Sequence, residues 1–137
     1  MLPLTIAIGM LAMTGTVASQ GLHEAQIRTI QQLVREAPNR PSPGDGELLY
    51  RSKGPTGLSC ESCHTPDPKR PGEHLSTKKL IRPLHPGVQS TRFADSAKVE
   101  KWFRRNCNDV FARECHPQEK ANFLTWLMQI ESVNAKQ

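Results

Sequence analysis

Cys60-Glu61-Ser62-Cys63-His64 constrains this chain more than any other stretch. Two thiols separated by two residues on a helical turn present their sulfurs along one edge. That spacing matches the two neighbouring vinyl groups of a haem, and the histidine that follows is directed under the iron as its proximal ligand. Three other chemistries use similar residues. A thioredoxin-like redox pair requires a βαβ setting, and none is legible around Cys60. A zinc site built from Cys60, Cys63 and Cys107 with Cys115 or His116 has suitable donors at irregular spacing. A structural disulfide between Cys60 and Cys63 leaves His64 without a role. The motif is therefore read as a covalent haem attachment, with His64 on the iron.

A group of that size needs a fold that wraps it, and the rest of the chain is suited to the task. Of 137 residues, 36% are hydrophobic and 5% aromatic, with eleven prolines. Side chains of this kind build a small core, to which a buried prosthetic group adds apolar contact area. The formal net charge is +5. Lys and Arg are spread along the chain with no arginine-rich block, which argues against nucleic acid and for a positive surface that meets acidic partners. Leu2 to Met13 is apolar apart from Thr5, and a small-residue run ends at Val17-Ala18-Ser19. This is a secretory pattern, too short to span a bilayer, so residues 1–19 are read as a cleaved leader and 20–137 as a monohaem cytochrome c domain in the periplasm. An oxidising compartment also permits a disulfide between Cys107 and Cys115.

Helical periodicity accounts for most of the remainder. Leu22, Ala25, Ile30, Leu33, Val34 and Ala37 mark an amphipathic helix over 22–37, stopped by Pro38, Pro41 and Pro43. A short helix is expected over 44–51. The segment from Thr65 to Gly87 holds five prolines and reads as a long functional loop. Asp95 looks like the N-cap of a helix over 96–105, with Val99, Trp102 and Phe103 on its apolar face and a Glu100/Arg104 pair one turn apart. Pro117 opens a last helix, with Phe123, Leu124, Leu127 and Ile130 inward and Lys120 outward. No period-two runs support a sandwich. The fold class is all-α, a class I cytochrome c-like domain with an extra N-terminal helix.

The sixth iron position decides what such a haem does. An electron carrier usually closes it with a methionine between the haem motif and the last helix, and that segment contains none. Met1, Met10 and Met13 fall in the leader, and Met128 reads as a core filler in the last helix. His74, His85, His116, Asn106, Asn108 and the lysines remain. Val99, Trp102, Phe103 and Asn106 recur at i, i+3, i+4 and i+7, which puts Asn106 on the stripe of the aromatics and Asn108 off it. A buried amide left unpaired costs about 1–3 kcal/mol. A helix cap or a backbone carbonyl satisfies that need as well as an iron does, and spacing alone leaves the two open. For the other face, the acceptor of the proximal imidazole N–H is sought near Pro83.

Thr91-Arg92-Phe93-Ala94-Asp95-Ser96-Ala97-Lys98-Val99-Glu100-Lys101-Trp102-Phe103-Arg104-Arg105-Asn106-Cys107-Asn108, followed by Arg113-Glu114-Cys115 and Pro117-Gln118-Glu119-Lys120, resembles the sphaeroides haem protein family of oxygen-binding c-type cytochromes. The resemblance runs from about Leu22 to Ile130, close after Thr91 and loose between His64 and Pro83. It implies a class I cytochrome c fold, one haem c, a Cys107–Cys115 disulfide, His64 as proximal ligand and Asn106, the residue before the first disulfide cysteine, as distal ligand. The chain departs from the family in its proline-rich loop, where Ser76-Thr77-Lys78 replaces a Thr-Gly-Lys and His85 stands between Leu84 and Pro86.

An amide oxygen is a hard donor that suits ferric better than ferrous iron. Release of Asn106 on reduction then opens a position for O2, NO or CO, and its amide NH2 is able to hydrogen-bond the bound diatomic. The resemblance further implies a dihaem cytochrome c and a membrane cytochrome b as electron donors. Such a haem is chemically able to act as a reductase or peroxidase on O2, NO or peroxide. No residue resembles a dedicated proton relay, and His85 and His116 are the candidates. Trp102 and Phe103 are expected against the macrocycle and Arg92 near a propionate. The main alternative is a simple electron carrier held by His85 in both oxidation states, and a remoter one is a zinc- or disulfide-held binding module.

Overall fold

The computed structural model describes residues 16–88 and 91–134 of the chain. Among them the backbone forms α1 (Thr16–Arg35), α2 (Pro43–Arg51), α3 (Glu61–His64), strands β1 (Gly72–Glu73) and β2 (Leu80–Ile81), α4 (Ser96–Phe111) and α5 (Pro117–Asn134). The N-terminal helix anticipated from periodicity is α1. Of the leader expected over residues 1–19, residues 1–15 lie outside the described part.

Local chemistry sets the helix boundaries. Ser42 caps α2 by accepting the Asp45 N–H on its hydroxyl at 3.2 Å, and Pro43 occupies the first turn, where its missing N–H costs nothing. Asp95 caps α4 by accepting the Lys98 N–H at 3.1 Å. No proline or glycine interrupts the residues after Arg105, so α4 continues past the expected end. It stops at Phe111, where Ala112 takes a left-handed conformation (φ 54°) and donates its N–H to the Asn108 carbonyl. Asn106 and Cys107 thus lie inside the helix, not beyond it.

The core gathers on α5. Ala121, Leu124 and Leu127 are fully enclosed, Phe123 and Trp126 nearly so, and they meet Tyr50 from α2 and Ile30 and Leu33 from α1. Tyr50 lies 4.9 Å from Trp126 and 6.1 Å from Phe123 between ring centroids, while Phe103 of α4 meets Phe123 edge-on at 5.7 Å. The close crossing of α2 and α5 depends on Gly46, because a Cβ there falls 2.2 Å from the Asn122 carbonyl oxygen. The Asn122 side chain also accepts the Ser42 N–H at 2.9 Å, tying the start of α2 to α5.

Several sequence expectations are corrected here. Glu100 does not pair with Arg104. Its carboxylate takes Lys120 Nζ at 2.6 Å across to α5, and Arg104 pairs with Glu114 at 3.5 Å instead. Lys120 is therefore not an outward residue: its side chain is only 14% exposed, and its ammonium lies 6.0 Å from the Phe103 ring centroid. Met128 is not a core filler, being 40% exposed. The stripe on α4 divides, with Val99 buried, Phe103 packed on the core, Trp102 48% exposed and Asn106 exposed. Among the described residues no helix is long and apolar enough to cross a membrane.

Two substitutions measure these contacts. Leu124→Ala is expected to lower unfolding free energy by about 2–5 kcal/mol. Gly46→Ala is expected to cost about 1–3 kcal/mol by separating α2 from α5. Urea titration of the purified protein followed by far-ultraviolet circular dichroism reads both.

Candidate haem site

The attachment motif is one short helix held from outside. Cys60 lies at the N-cap of α3, and the His64 N–H donates to the Cys60 carbonyl at 3.1 Å, so the two thiols and the imidazole share a single turn. Both thiols are free and partly buried. Four residues make too little helix to persist alone, and three contacts fix this one. The fully buried Tyr50 donates its hydroxyl to the carbonyl of Thr65, the residue that ends α3 with φ 65°. Ser59 and Ser62 close the N-terminal side, the Ser59 N–H reaching the Ser62 hydroxyl at 3.0 Å. Gly72 of β1 passes so near that a Cβ would fall 1.9 Å from the Cys63 carbonyl oxygen. Tyr50 is held well above a usual phenol, chiefly by burial and then by the neighbouring Cys60, and the Cys60 thiol is pushed up to about 11, again chiefly by burial.

His64 is prepared as a neutral ligand. Burial first, and the nearby Arg92 guanidinium second, lower its pKa to about 4, which leaves a ring nitrogen unprotonated at neutral pH. Arg92 itself is committed to the backbone. Its Nε donates to the Pro83 carbonyl at 3.1 Å and one terminal nitrogen to the Arg82 carbonyl at 2.8 Å. Pro83, sought as the acceptor for the His64 ring N–H, thus receives Arg92 here. The buried Gln26 of α1 completes this side by donating to the Arg92 carbonyl at 2.6 Å and the Pro86 carbonyl at 3.2 Å.

The donors considered for the sixth position are spread widely. Asn106 lies on the exposed side of α4, one turn beyond the exposed Trp102, whose ring faces the Arg105 guanidinium at 5.7 Å. Phe103 belongs to the core side of the same helix. The end of α4 is bound to the loop that leads into the haem motif: Thr56 donates to the Val110 carbonyl at 3.1 Å, and a Cβ on Gly54 would fall 1.8 Å from that same oxygen. Cys107 and Cys115 are in direct contact, with Cα atoms 5.7 Å apart. Arg113, between them, holds Glu119 through two contacts of 2.8 and 2.6 Å, and Glu119 also accepts the His116 N–H at 2.8 Å.

The histidines take other roles. His74 closes a tight turn, its Nδ1 accepting the Thr77 N–H at 3.3 Å. His85 is fully buried, its backbone N–H on the Pro68 carbonyl at 3.0 Å and its Nδ1 accepting the Gly87 N–H at 3.1 Å. His116 and Asn108 are exposed. The zinc alternative finds no support in the geometry, since no group of three His, Cys, Asp or Glu able to hold a metal ion exists among the described residues. Free thiols one helical turn apart, an adjacent neutral imidazole and a glycine that clears the Cys63 carbonyl are the donor set and the clearance that a covalently bound haem requires. Sequence reasoning did not anticipate Tyr50, Gln26, Thr56 or Gly72, because each acts through a backbone carbonyl and leaves no motif.

Comparison with known proteins places the chain among c-type cytochromes. Residues 36–127 match a family described as a domain of unknown function, DUF1924. The cytochrome c-type protein SHP of Cereibacter sphaeroides is 51% identical over 105 residues, covering 75% of this chain and 81% of that protein. The chain belongs to this family of c-type cytochromes. Its cofactor is a single haem c. Cytochrome c'' of Methylophilus methylotrophus is 42% identical over 92 residues, a match that spans 64% of each chain. The structure of oxidised SHP, described as an oxygen-binding cytochrome c, superposes with a TM-score of 0.67 at 40% identity, covering 74% of this chain and 94% of that one. A solution structure of cytochrome c'', described as giving insights into haem-ligand detachment, superposes with a TM-score of 0.61 at 35% identity, covering 80% of this chain and 93% of that one. These neighbours place the chain among the class I-like, all-helical cytochromes.

Two measurements probe the supports of this cytochrome's site. Gly72→Ala must displace β1 from α3, and a lower haem-to-protein absorbance ratio after maturation is the expected result. The Arg113 hydrogen bond and then the His116 N–H hold Glu119 below its usual carboxyl range, so its contribution to stability is present above the unfolded carboxyl pKa and is lost as pH falls through the lower folded value. Glu119→Gln is expected to flatten that acid limb of the thermal midpoint against pH between about 5 and 3.

Proposed function

We propose that this cytochrome is an exported, ligand-releasing haem protein. Cys60 and Cys63 hold the haem by thioethers, His64 is the proximal ligand, and Asn106 is a distal ligand that leaves on reduction. The haem supplies a redox-active iron and a coordination position for a small ligand such as O2, NO or CO. Asn106 closes that position in the oxidised protein through its amide oxygen, a hard donor matched to ferric iron. After reduction the same side chain is able to turn its NH2 toward the incoming diatomic as a hydrogen-bond donor.

The observation that carries this reading is the placement of Asn106 on the outer side of α4, one turn beyond Trp102, on a helix end tied to the haem-motif loop through Thr56 and Gly54. A Cys107–Cys115 disulfide, which their contact supports, pins the loop that follows α4, and the Arg113–Glu119 pair holds that loop to α5. The side chain at 106 is then the mobile part beside a fixed helix. His85 is the less suitable distal ligand, because its Nδ1 accepts the Gly87 N–H and a neutral ring then carries its proton on Nε2, the other nitrogen. The relatives agree in kind: one is described as binding oxygen, and the other is described through detachment of a haem ligand. Electrons are proposed to come from a dihaem cytochrome c and a membrane cytochrome b in the periplasm, with residues 1–19 removed as the leader.

Optical titration with CO tests the reading. The anaerobically reduced wild-type protein is expected to be high-spin and to bind CO. Asn106→Ala is expected to change the ferric Soret band while leaving CO binding intact, and His85→Ala to leave the ferric band unchanged. A reduced wild-type protein that stays six-coordinate and low-spin, and refuses CO, contradicts ligand release. Intact mass before and after reduction, with thiol alkylation, reports the Cys107–Cys115 bond.

A further inference from the structure

A strongly basic stretch follows the haem motif. Residues 69–82 carry Lys69, Arg70, Lys78, Lys79 and Arg82 against a single carboxylate, Glu73, a local net charge of +4 where the whole chain has +5. Arg70 pairs with Asp67 at 3.7 Å and Lys78 with Glu73 at 3.4 Å. Lys69, Lys79 and Arg82 face no carboxylate among the described residues. Six cations elsewhere are matched: Arg28 by Glu24, Arg51 by Glu47 and Glu61, Lys98 by Asp95, Arg104 by Glu114, Arg113 by Glu119 and Lys120 by Glu100, while Arg35, Arg40, Lys53, Lys101 and Arg105 are unmatched singly or in pairs on other elements.

The same segment exposes an apolar centre. β1 and β2 pair antiparallel, Gly72 with Ile81 and Glu73 with Leu80. Gly72 faces inward against the Cys63 carbonyl, so alternation places Glu73 and Leu80 on the outer side of the hairpin. Leu80 is 76% exposed, more than any other large hydrophobic residue described, and Leu75 at the turn is 42% exposed. An apolar patch rimmed by unmatched charge of one sign has the composition of a transient protein interface. It also adjoins the attachment helix directly, through the contact of Gly72 with Cys63.

We propose that the outer face of the 72–81 hairpin, with Leu75 and Leu80 at its centre and Lys69, Lys79 and Arg82 at its rim, docks an acidic electron-donor protein. This rests on the haem being carried by Cys60 and Cys63. One electron passes from the reduced donor to the ferric haem, leaving the donor oxidised by one electron and the haem ferrous. The rim steers the encounter, and the two leucines supply the contact that excludes water.

Stopped-flow reduction of the haem-loaded protein tests this with two donors, the hydroquinone of an acidic flavodoxin and the neutral semiquinone of lumiflavin. At low ionic strength the triple variant K69E/K79E/R82E is expected to lose on the order of tenfold or more in its second-order rate with flavodoxin, and the fall of that rate with added salt is expected to vanish or reverse. Its rate with lumiflavin stays as in the wild type. The control triple R28E/R35E/K98E, with the same change in net charge on α1 and the first turn of α4, is expected to stay within about threefold. Leu80→Ser, which alters no charge, is expected to slow flavodoxin several-fold and to keep the salt dependence. Equal losses in both triples mean that net charge alone acts, and overturn the docking face. So does a hairpin triple with the wild-type rate, or a Leu80→Ser variant indistinguishable from wild type. A wild-type protein that lumiflavin cannot reduce overturns the haem reading itself, and the docking face with it.

Discussion

A helix of four residues has no stability of its own, and the function of this chain depends on one. The turn that presents Cys60, Cys63 and His64 is held by the Tyr50 hydroxyl on the Thr65 carbonyl and by the absence of a side chain at Gly72. Tyr50 in turn is fixed by tilted ring contacts with Trp126 and Phe123, so the geometry of the motif is set by the packing of α2 on α5. A core defect at Leu124 or Gly46 therefore reaches the haem site through one phenolic oxygen. This chain of dependence explains why a domain with few aromatic residues places most of them together.

The distal side proposed for the haem has a different construction. Asn106 belongs to a helix whose far end is clamped to the loop before the motif and whose following loop is drawn in by Cys115 and Glu119. On the proposed reading, a rigid helix carrying a weak, hard donor lets that ligand leave without the fold following it. The Lys120–Glu100 pair, half sheltered between α4 and α5, adds a further cross-link on the core side of α4 and leaves its outer side uncommitted.

Much of this was legible from residue order. The haem motif, the cap at Asp95, the proline that opens α5 and the N-terminal helix follow from local rules that act within one or two turns. The misread pairings and faces came from tertiary partners. Glu100 and Lys120 found each other across two helices, against local spacing that favoured Arg104. Asn106 and Trp102 share a stripe with Val99 and Phe103 in periodicity but not in burial, because a stripe about 100° wide meets the core on one flank only. Arg92, expected near a propionate, directs its guanidinium to the Pro83 and Arg82 carbonyls. Backbone-directed contacts of this kind leave no residue pattern, and Tyr50, Gln26 and Gly72 were invisible for the same reason.

The central claim is that Asn106 is bound to the iron in one oxidation state and apart from it in the other. Crystal structures of the haem-loaded protein, oxidised and then chemically reduced in the same crystal form, measure this directly. The account predicts the Asn106 amide oxygen at coordination distance from the iron in the oxidised crystal and withdrawn in the reduced one, with His64 on the iron in both. Asn106 remote from the iron in the oxidised crystal, or a His85 nitrogen bound in both states, contradicts it.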